Sequence, residues 1–442
     1  MIMQTPSLTI KPLERLQVND GLLLTAKLWK QAHDYHRQRQ NIYYQSLHQP
    51  GIISGLGICI IEPPEEVAAE YKDRRWLKIK PGVAIDVNGN PIVVPRSLTF
   101  RIASDSPKSG YIVVYVVINY VDPDKLQIEN NNQLVTETFR IDEKTNQPDS
   151  TEIELCRILL SAQGVELTES GDILSPQVNN VDLRFRKHGQ FKPSEEVIVG
   201  YLGNIEVNQV DNVFALCKAV PGLYHKMEAS LVLMDDSIKD VNELCCDIIY
   251  ITYQDFISLR LISLEKLQQF LKTGAVLFIE ASAREADITD LSSVKQQLQT
   301  TIHGLSHQPD VVQVRQELEV ELDAVNLKIT EQLEELISPM NNLTSQLGFE
   351  LSSINCNDLS SDHLLRNHPF LFSQLPVIGG ESTYLFNWGG IILSIGNLSS
   401  GWGINNKYSL SRETIRSAQE IGINILYFSW YRHQIKSLSS QV

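Results

Sequence analysis

The residues best equipped for chemistry in this chain are its histidines, one serine and two glycine–tryptophan clusters. His33 and His36 lie three apart in "AHDYHRQRQ", a spacing that sets two imidazoles on one turn of a helix, and His48 follows downstream. Two such nitrogens with a third ligand would hold a zinc ion. Arg37 and Arg39 beside them disfavour a cation, and no carboxylate or thiol completes the set at a recognised spacing. The expectation is therefore a polar, partly packed helix face with no metal. His363 and His368 in "HLLRNHPFLF", and His307 before them, are the histidines that a hydrolase would have to bring beside a nucleophile. No GxSxG elbow, HExxH helix, GxGxxG turn or phosphate-loop pattern supplies the frame for such chemistry. The residue patterns thus point to no catalytic set and no cofactor. Gly389 and Gly390 in "NWGGI", with Gly401 and Gly403 in "SSGWGINN", leave two readings: an aromatic-lined ligand loop around Trp388 and Trp402, or tight turns between strand and helix.

The elements that would position these residues fall into two rhythms. Leu24, Leu28, Ala32, Tyr35, Ile42 and Leu47 recur at helical spacing behind a Thr25 cap, so a long amphipathic helix is expected, broken by "HQPGIISGLG". In "KIKPGVAIDVNGNPIVVP", Val83, Ile85 and Val87 alternate with Ala84 and Asp86, and Asn88-Gly89 signals a two-residue hairpin turn with positive φ at both positions. "YIVVYVVINYV", "TETFRIDE" and "EIELCRILL" add further strands. Residues 1–194 are expected to form a helix plus a mainly antiparallel β domain. From Glu195 strands alternate with helices, as in "EVIVGYLG", "VDNVFALCKAVPGLYHKM", "SLEKLQQFLKTG" and "AVLFIEA". That alternation predicts a mainly parallel α/β domain over residues 195–442, so the fold class is α+β followed by α/β.

A helical insertion interrupts the second domain at about residues 285–347. Leu318, Leu322, Val325, Ile329 and Leu336 recur at three- and four-residue spacings, and Pro339 is expected to end the run. The segment reads as a helical hairpin around "SHQPD", packed on its own domain or joined to another copy as a coiled coil. In the second case Leu322, Ile329 and Leu336 would form the intermolecular seam.

Composition bounds the partners. The chain has 442 residues, 43% of them hydrophobic, which is ample for two cores, and a formal net charge of −15. That charge argues against a nucleic-acid surface, since phosphate binding needs clustered Lys and Arg. The six cysteines, at positions 59, 156, 217, 245, 246 and 356, form no CxxC pair and read as buried thiols of a reducing compartment. The opening "MIMQTPSLTIKPLERL" lacks the pattern of a secretory leader, and "YIVVYVVINYV" is about half the roughly 20 residues of a membrane helix. The expectation is a cytoplasmic protein with no direct membrane insertion.

Two resemblances extend this reading. "LEKLQQFLKTGAVLFIEA", "HPFLFSQLP", "YLFNWGGIIL", "SSGWG" and "AQEIGINILYF", in that order, resemble the DUF4159 family, which is similar in fold to class I glutamine amidotransferases. Catalytic relatives of that fold carry a cysteine just after the strand matching Ala275 to Ile279. This chain has "FIEASARE" there, with Ser282 the only hydroxyl, so the resemblance implies a fold without the activity. The segments "LLLTAKLWKQAHDYHRQRQNIYYQSLHQPGIISGLGICI", "LKIKPGVAIDVNGNPIVVP" and "PQVNNVDLRFRKHG" resemble proteins of phage-tail-like contractile injection systems.

The second resemblance implies a non-enzymatic structural protein in or around a baseplate. It would be present in symmetric copies, with other baseplate, tube or sheath proteins and further copies of itself as partners. Such a particle reaches a membrane through other subunits. The alternative expectation is a binding protein whose α/β domain recognises a ligand or surface through the loops around Trp388 and Trp402.

Overall fold

The computed structural model describes residues 12–123, 135–162, 166–203, 207–234, 246–258, 264–305, 312–347, 352–353, 363–403 and 409–439. His307, Cys245 and Cys356 lie outside them, as does the whole of "SHQPD". The chain divides into two compact units, Met1–Lys192 and Pro193–Val442. It joins a mainly antiparallel α+β unit to a mainly parallel α/β unit.

In the first unit, helix α1 (Ala26–Leu47) opens on Thr25, whose hydroxyl accepts from the Leu28 amide at 3.3 Å. The strands are β1 (Gly51–Gly55), β2 (Ile58–Ile61), β3 (Trp76–Ile79), β4 (Gly82–Ile85), β5 (Pro91–Val94), β6 (Leu98–Arg101), β7 (Tyr111–Val121), β8 (Thr138–Lys144), β9 (Ile153–Ser161) and β10 (Val181–Asp182). They pair as three sheets, β1-β4-β5, β2-β3-β6 and β10-β9-β7-β8, and every pairing is antiparallel. Their inward residues make one core, with Leu77 and Ile79, Ile92 and Val94, and Val114, Val116 and Ile118 all essentially inaccessible. The period-two alternation of β-branched side chains lets each strand give one face to that core.

The β4–β5 connection differs from the two-residue turn read in the sequence. Strand β4 stops at Ile85, and Val87, Asn88 and Gly89 form the loop. The Gly89 amide donates to the Asp86 carbonyl (3.0 Å) and the Asp86 amide to the Asn90 carbonyl (3.1 Å). Only Gly89 has positive φ, +76°. This is the three-residue hairpin in which a type I turn is followed by a left-handed residue. Asp86 selects it, because its carboxylate accepts from both the backbone and the side-chain amide of Asn90, at 2.8 and 2.9 Å.

The second unit contains β11 (Glu195–Tyr201), α2 (Val207–Leu223), β12 (Met227–Leu233), β13 (Ile248–Thr252), α3 (Tyr253–Ser258), α4 (Leu264–Lys272), β14 (Val276–Ala281), α5 (Thr289–Gly304), α6 (Val312–Leu347), β15 (Ser352–Ser353), α7 (Leu364–Asn367), β16 (Val377–Ile378), β17 (Glu381–Ser382), β18 (Tyr384–Trp388), β19 (Ile391–Ile395) and α8 (Arg412–Ser439). Its sheet has the order β12-β11-β13-β14-β19-β18-β15. The first five of these strands run parallel, and β18 and β15 are antiparallel. Strands β13, β14 and β19 are buried almost throughout, as expected where helices cover both faces. One face packs against α2 and α8 through Val213, Leu216, Ile421 and Ile425. The other packs against α4 and α6 through Leu267, Phe270, Ile329 and Leu333.

Two helices run further than the sequence suggested. Helix α6 passes through Pro339 and continues to Leu347. A proline removes one ladder hydrogen bond, yet Leu336, Ile337 and Met340 are buried on either side of it and hold the helix in place. The other is α8: "INILYFSWY", which in the sequence reads as the segment a last helix leads into, lies inside it, where Ile423, Leu426 and Ser429 are nearly inaccessible. A helix buried this deeply shows little polar periodicity and is easily mistaken for a strand.

Candidate functional site

Three sequence segments meet at β1. On one edge, β1 pairs with β4 of the "PGVAID" hairpin, Gly51 opposite Ile85 and Gly55 opposite Gly82. On its other side runs the "RKHG" segment. The Ile52 amide donates to the Lys187 carbonyl (2.9 Å), the Gly189 amide to the Ile52 carbonyl (2.9 Å) and the Gln49 amide to the Gln190 carbonyl (2.8 Å). A Cβ on Gly51 would lie 2.6 Å from the Gly189 nitrogen, so only glycine lets these backbones approach.

Helix α1 bears on the same framework. Its Asn41 side-chain amide meets that of Asn90 at 2.8 Å, and Gln45 donates to the Asn88 carbonyl at 2.6 Å. The helix is therefore tied to the turn that Asp86 shapes. Burial pushes the Asp86 carboxyl above its usual range, the bonds to Asn90 opposing that shift. Arg37 bridges Asp34 and Asp122, fixing the middle of the helix.

No residue of α1 is fully buried. Its packed positions, Leu28, Ala32, Tyr35, Ile42 and Tyr44, are only half-covered, while Trp29 (57%) and Tyr43 (61%) stand exposed. Leu23 and Leu24, just before the helix, are 80% and 51% exposed. Phe191 stacks on His48 with ring centroids 5.0 Å apart and is itself 77% exposed. The outer face of this pinned helix is thus polar and basic, with Lys27, Lys30 and Arg39 exposed, and carries two aromatic side chains of the kind enriched in interface cores. The three histidines of this region make ring contacts: His33 with Trp29, His36 with Tyr35 and His48 with Phe191. Among the described residues no group of three His, Cys, Asp or Glu could hold a metal ion.

In the second unit, the carboxyl ends of the parallel strands are where an open α/β sheet accepts ligands. Here aromatic side chains fill that place. Tyr201, ending β11, stacks on Tyr250 of β13 at 5.4 Å, and Trp402 lies 6.3 Å from Tyr250 and 6.0 Å from Phe278. Beneath them is a buried polar centre. Glu280 of β14 accepts from the Tyr250 hydroxyl and from the Ser399 amide, the latter at 2.7 Å. Burial raises the carboxyl of Glu280 and pushes the Tyr250 phenol well above its ordinary value. This centre was missed in the sequence reading, although a glutamate inside the apolar run "VLFIEA" was its signal.

The sequence-stated candidates are separated rather than assembled. Trp388 and Trp402 are 1% and 3% exposed. The Trp388 indole donates to Asn341 (2.8 Å) and the Trp402 indole to the Ala418 carbonyl (3.0 Å). Both are core side chains, and neither glycine–tryptophan cluster forms an aromatic-lined opening. Ile329 (2%) and Leu336 (7%) are packed inside the unit, and Leu322 is half-buried. The Ser282 hydroxyl donates to Glu285 Oε2 at 2.8 Å, and the same oxygen accepts the Ser282 amide. That is a local turn with no imidazole in it. His363 stacks on Phe428, and His368 meets the Tyr427 ring at a tilt of 51°. His433, not singled out in the sequence, pairs through Nδ1 with Asp247, which raises the imidazole's pKa.

No family model matches the chain, and no curated protein matches it. Among solved structures, it is similar over 76% of its length to "Crystal structure of TssK", at 10% identity and a TM-score of 0.21, and it spans 61% of that chain. It is also similar over 49% of its length to a chain of "The baseplate complex from the type VI secretion system", at 9% identity and a TM-score of 0.22, covering 70% of that chain. Scores this low carry neither fold nor role to the present chain. Among the described residues no helix is long and apolar enough to cross a membrane.

Proposed function

We propose that the chain is a non-enzymatic structural component of a contractile injection particle, in or around its baseplate, built in as symmetric copies. One observation carries this reading. The three segments that resemble injection-system proteins, far apart in the chain, converge on β1 and hold α1 with Trp29 and Tyr43 outward. A shared sequence pattern that builds one exposed surface is what an attachment module needs, and it needs no reactive group.

In this reading residues 1–194 attach the protein to other baseplate, tube or sheath subunits through α1. Residues 195–442 form the DUF4159-like, amidotransferase-like domain, which projects a surface instead of running a reaction. The aromatic filling of its carboxyl-end crevice supports a scaffold over a ligand-binding protein. Such a particle works from the cytoplasm and contacts the membrane through other subunits, and nucleic acid has no part in it.

The test is to tag the protein in its native host, sediment large particles from lysate and identify what travels with it. The expected result is co-sedimentation with sheath, tube and baseplate proteins, lost in a Trp29→Ala/Tyr43→Ala variant whose circular dichroism is unchanged. Recovery of the wild-type protein only as a small species with no such partners would sink the reading.

A further inference from the structure

The sheet of the second unit ends differently at its two edges. One edge closes on β15, a strand of two residues, too short to template another. The other ends on β12, whose seven residues pair with β11 and, among the described residues, with no other strand. The Glu195 amide donates to the Lys226 carbonyl (3.1 Å) and the Met234 amide to the Tyr201 carbonyl (3.0 Å). Backbone groups alternate sides along a strand, so between these two bonds Glu228, Ser230 and Val232 turn toward β11. The amides and carbonyls of Ala229, Leu231 and Leu233 therefore point away from the sheet. Lysine, proline or a bulge usually blunts such an edge. Strand β12 reads "MEASLVL", with an unbroken register and Glu228 as its one charge.

This sequence suits pairing with itself. In an antiparallel pair with its two-fold axis at Leu231, that residue faces its own copy and Ala229 faces Leu233 of the second copy, each exchanging the outward backbone bonds. The 51% exposed Leu233 side chain then lies over a methyl group. On the other face Ser230 falls opposite Val232 and Glu228 opposite Met234, so the one charge avoids its equivalent, where like charges would be destabilising.

The covering helix agrees. Helix α2 packs on β12 while α8 packs on β11, so α2 is outermost on its face. It is exposed at Asp211, Phe214 (47%) and Lys218, one stripe at three- and four-residue spacing, with the Lys218 ammonium 4.3 Å from the Phe214 ring centroid. The same axis runs α2 antiparallel to its mate and sets Asp211 against Lys218 of the second copy, with the Phe214 rings between.

We propose that β12 pairs antiparallel with β12 of a second copy, joining two sheets into one across a two-fold axis. The interface is isologous: each copy uses up its open edge, so assembly through it stops at two. The pairing stands whether or not the protein belongs to an injection particle.

The test is sedimentation velocity of the purified full-length protein from about 1 to 100 µM, where the expected result is a monomer–dimer equilibrium with nothing larger. Leu233→Lys puts a charge at an exposed edge position and should lower the association constant at least about tenfold with unchanged circular dichroism. Asp211→Lys and Lys218→Asp should each weaken the dimer, and the double variant should restore it, because the axis brings each altered residue against the other. Amide exchange reads the backbone: Ala229, Leu231 and Leu233 should gain protection as concentration rises, while Ser230 and Val232, bonded to β11, should not change. A monomer at every concentration overturns the proposal, as does growth beyond the dimer or a dimer indifferent to Leu233→Lys. A double variant that fails to recover what the single ones lost overturns the antiparallel register.

Discussion

Ile329 decides between the two uses the sequence allowed for the inserted helices. The side chain is 2% exposed and belongs to the cluster that includes Leu267, Phe270, Ile279 and Leu393, so it packs against the sheet of its own unit. Truncation to alanine removes buried methyl and methylene groups and leaves a cavity that surrounding strands cannot close, at a cost of about 2–5 kcal/mol. With a urea dependence of about 2–3 kcal/mol per molar, the unfolding midpoint of the second unit should fall by roughly 1 M or more. Urea titration followed by tryptophan fluorescence reads this directly, because Trp388 lies in the same cluster. Val320→Ser, at a 70% exposed position of the same helix, should move the midpoint by no more than about 0.5 kcal/mol and serves as the control. A normal midpoint for Ile329→Ala, together with a smaller assembly in sedimentation, would refute the packing argument and restore the seam between copies.

Three further outcomes follow from particular contacts. Gly89→Ala would set a Cβ 2.4 Å from the Asn41 carbonyl at a φ of +76°, so it should displace α1 from the hairpin. Faster amide exchange across residues 26–47 is the readout, and unchanged protection would disprove the coupling. Burial raises the Glu280 carboxyl above its ordinary value, so its stabilisation is full below that value and is lost as pH rises through the higher folded pKa. Relative to wild type, Glu280→Gln should therefore gain in urea midpoint as pH climbs from 4 to 8; a difference flat in pH contradicts this. His433 is raised from 6.5 by Asp247, so its contribution is present below 6.5 and fades above it. His433→Gln should cost more stability at pH 6 than at pH 9, and a gap that widens with pH would overturn that assignment.

Much of the architecture was legible because its signals are local. The capped amphipathic α1, the alternation in β4 and β5, and the strand–helix rhythm from Glu195 are all set by neighbours within a few residues. What escaped depended on side-chain bonds and burial that residue patterns do not report. Asn88-Gly89 resembled a two-residue turn until Asp86 bonded to Asn90 and shifted the loop by a residue. Pro339 and "INILYFSWY" misled for the same reason, since burial by the sheet outweighed local preference in α6 and α8.

The polar centre at Glu280 shows how the second unit uses its chemistry. A buried carboxyl costs stability unless its oxygens are bonded, and here both are occupied, by the Tyr250 hydroxyl and the Ser399 amide. Those bonds tie β13 and β14 to the turn at Leu398–Gly401, and that turn delivers Trp402 over Phe278. The carboxyl therefore acts through the order it imposes: with Glu280 satisfied, the aromatic side chains have one arrangement and fill the crevice at the strand ends. A buried carboxyl thus orders the side chains at the customary ligand position.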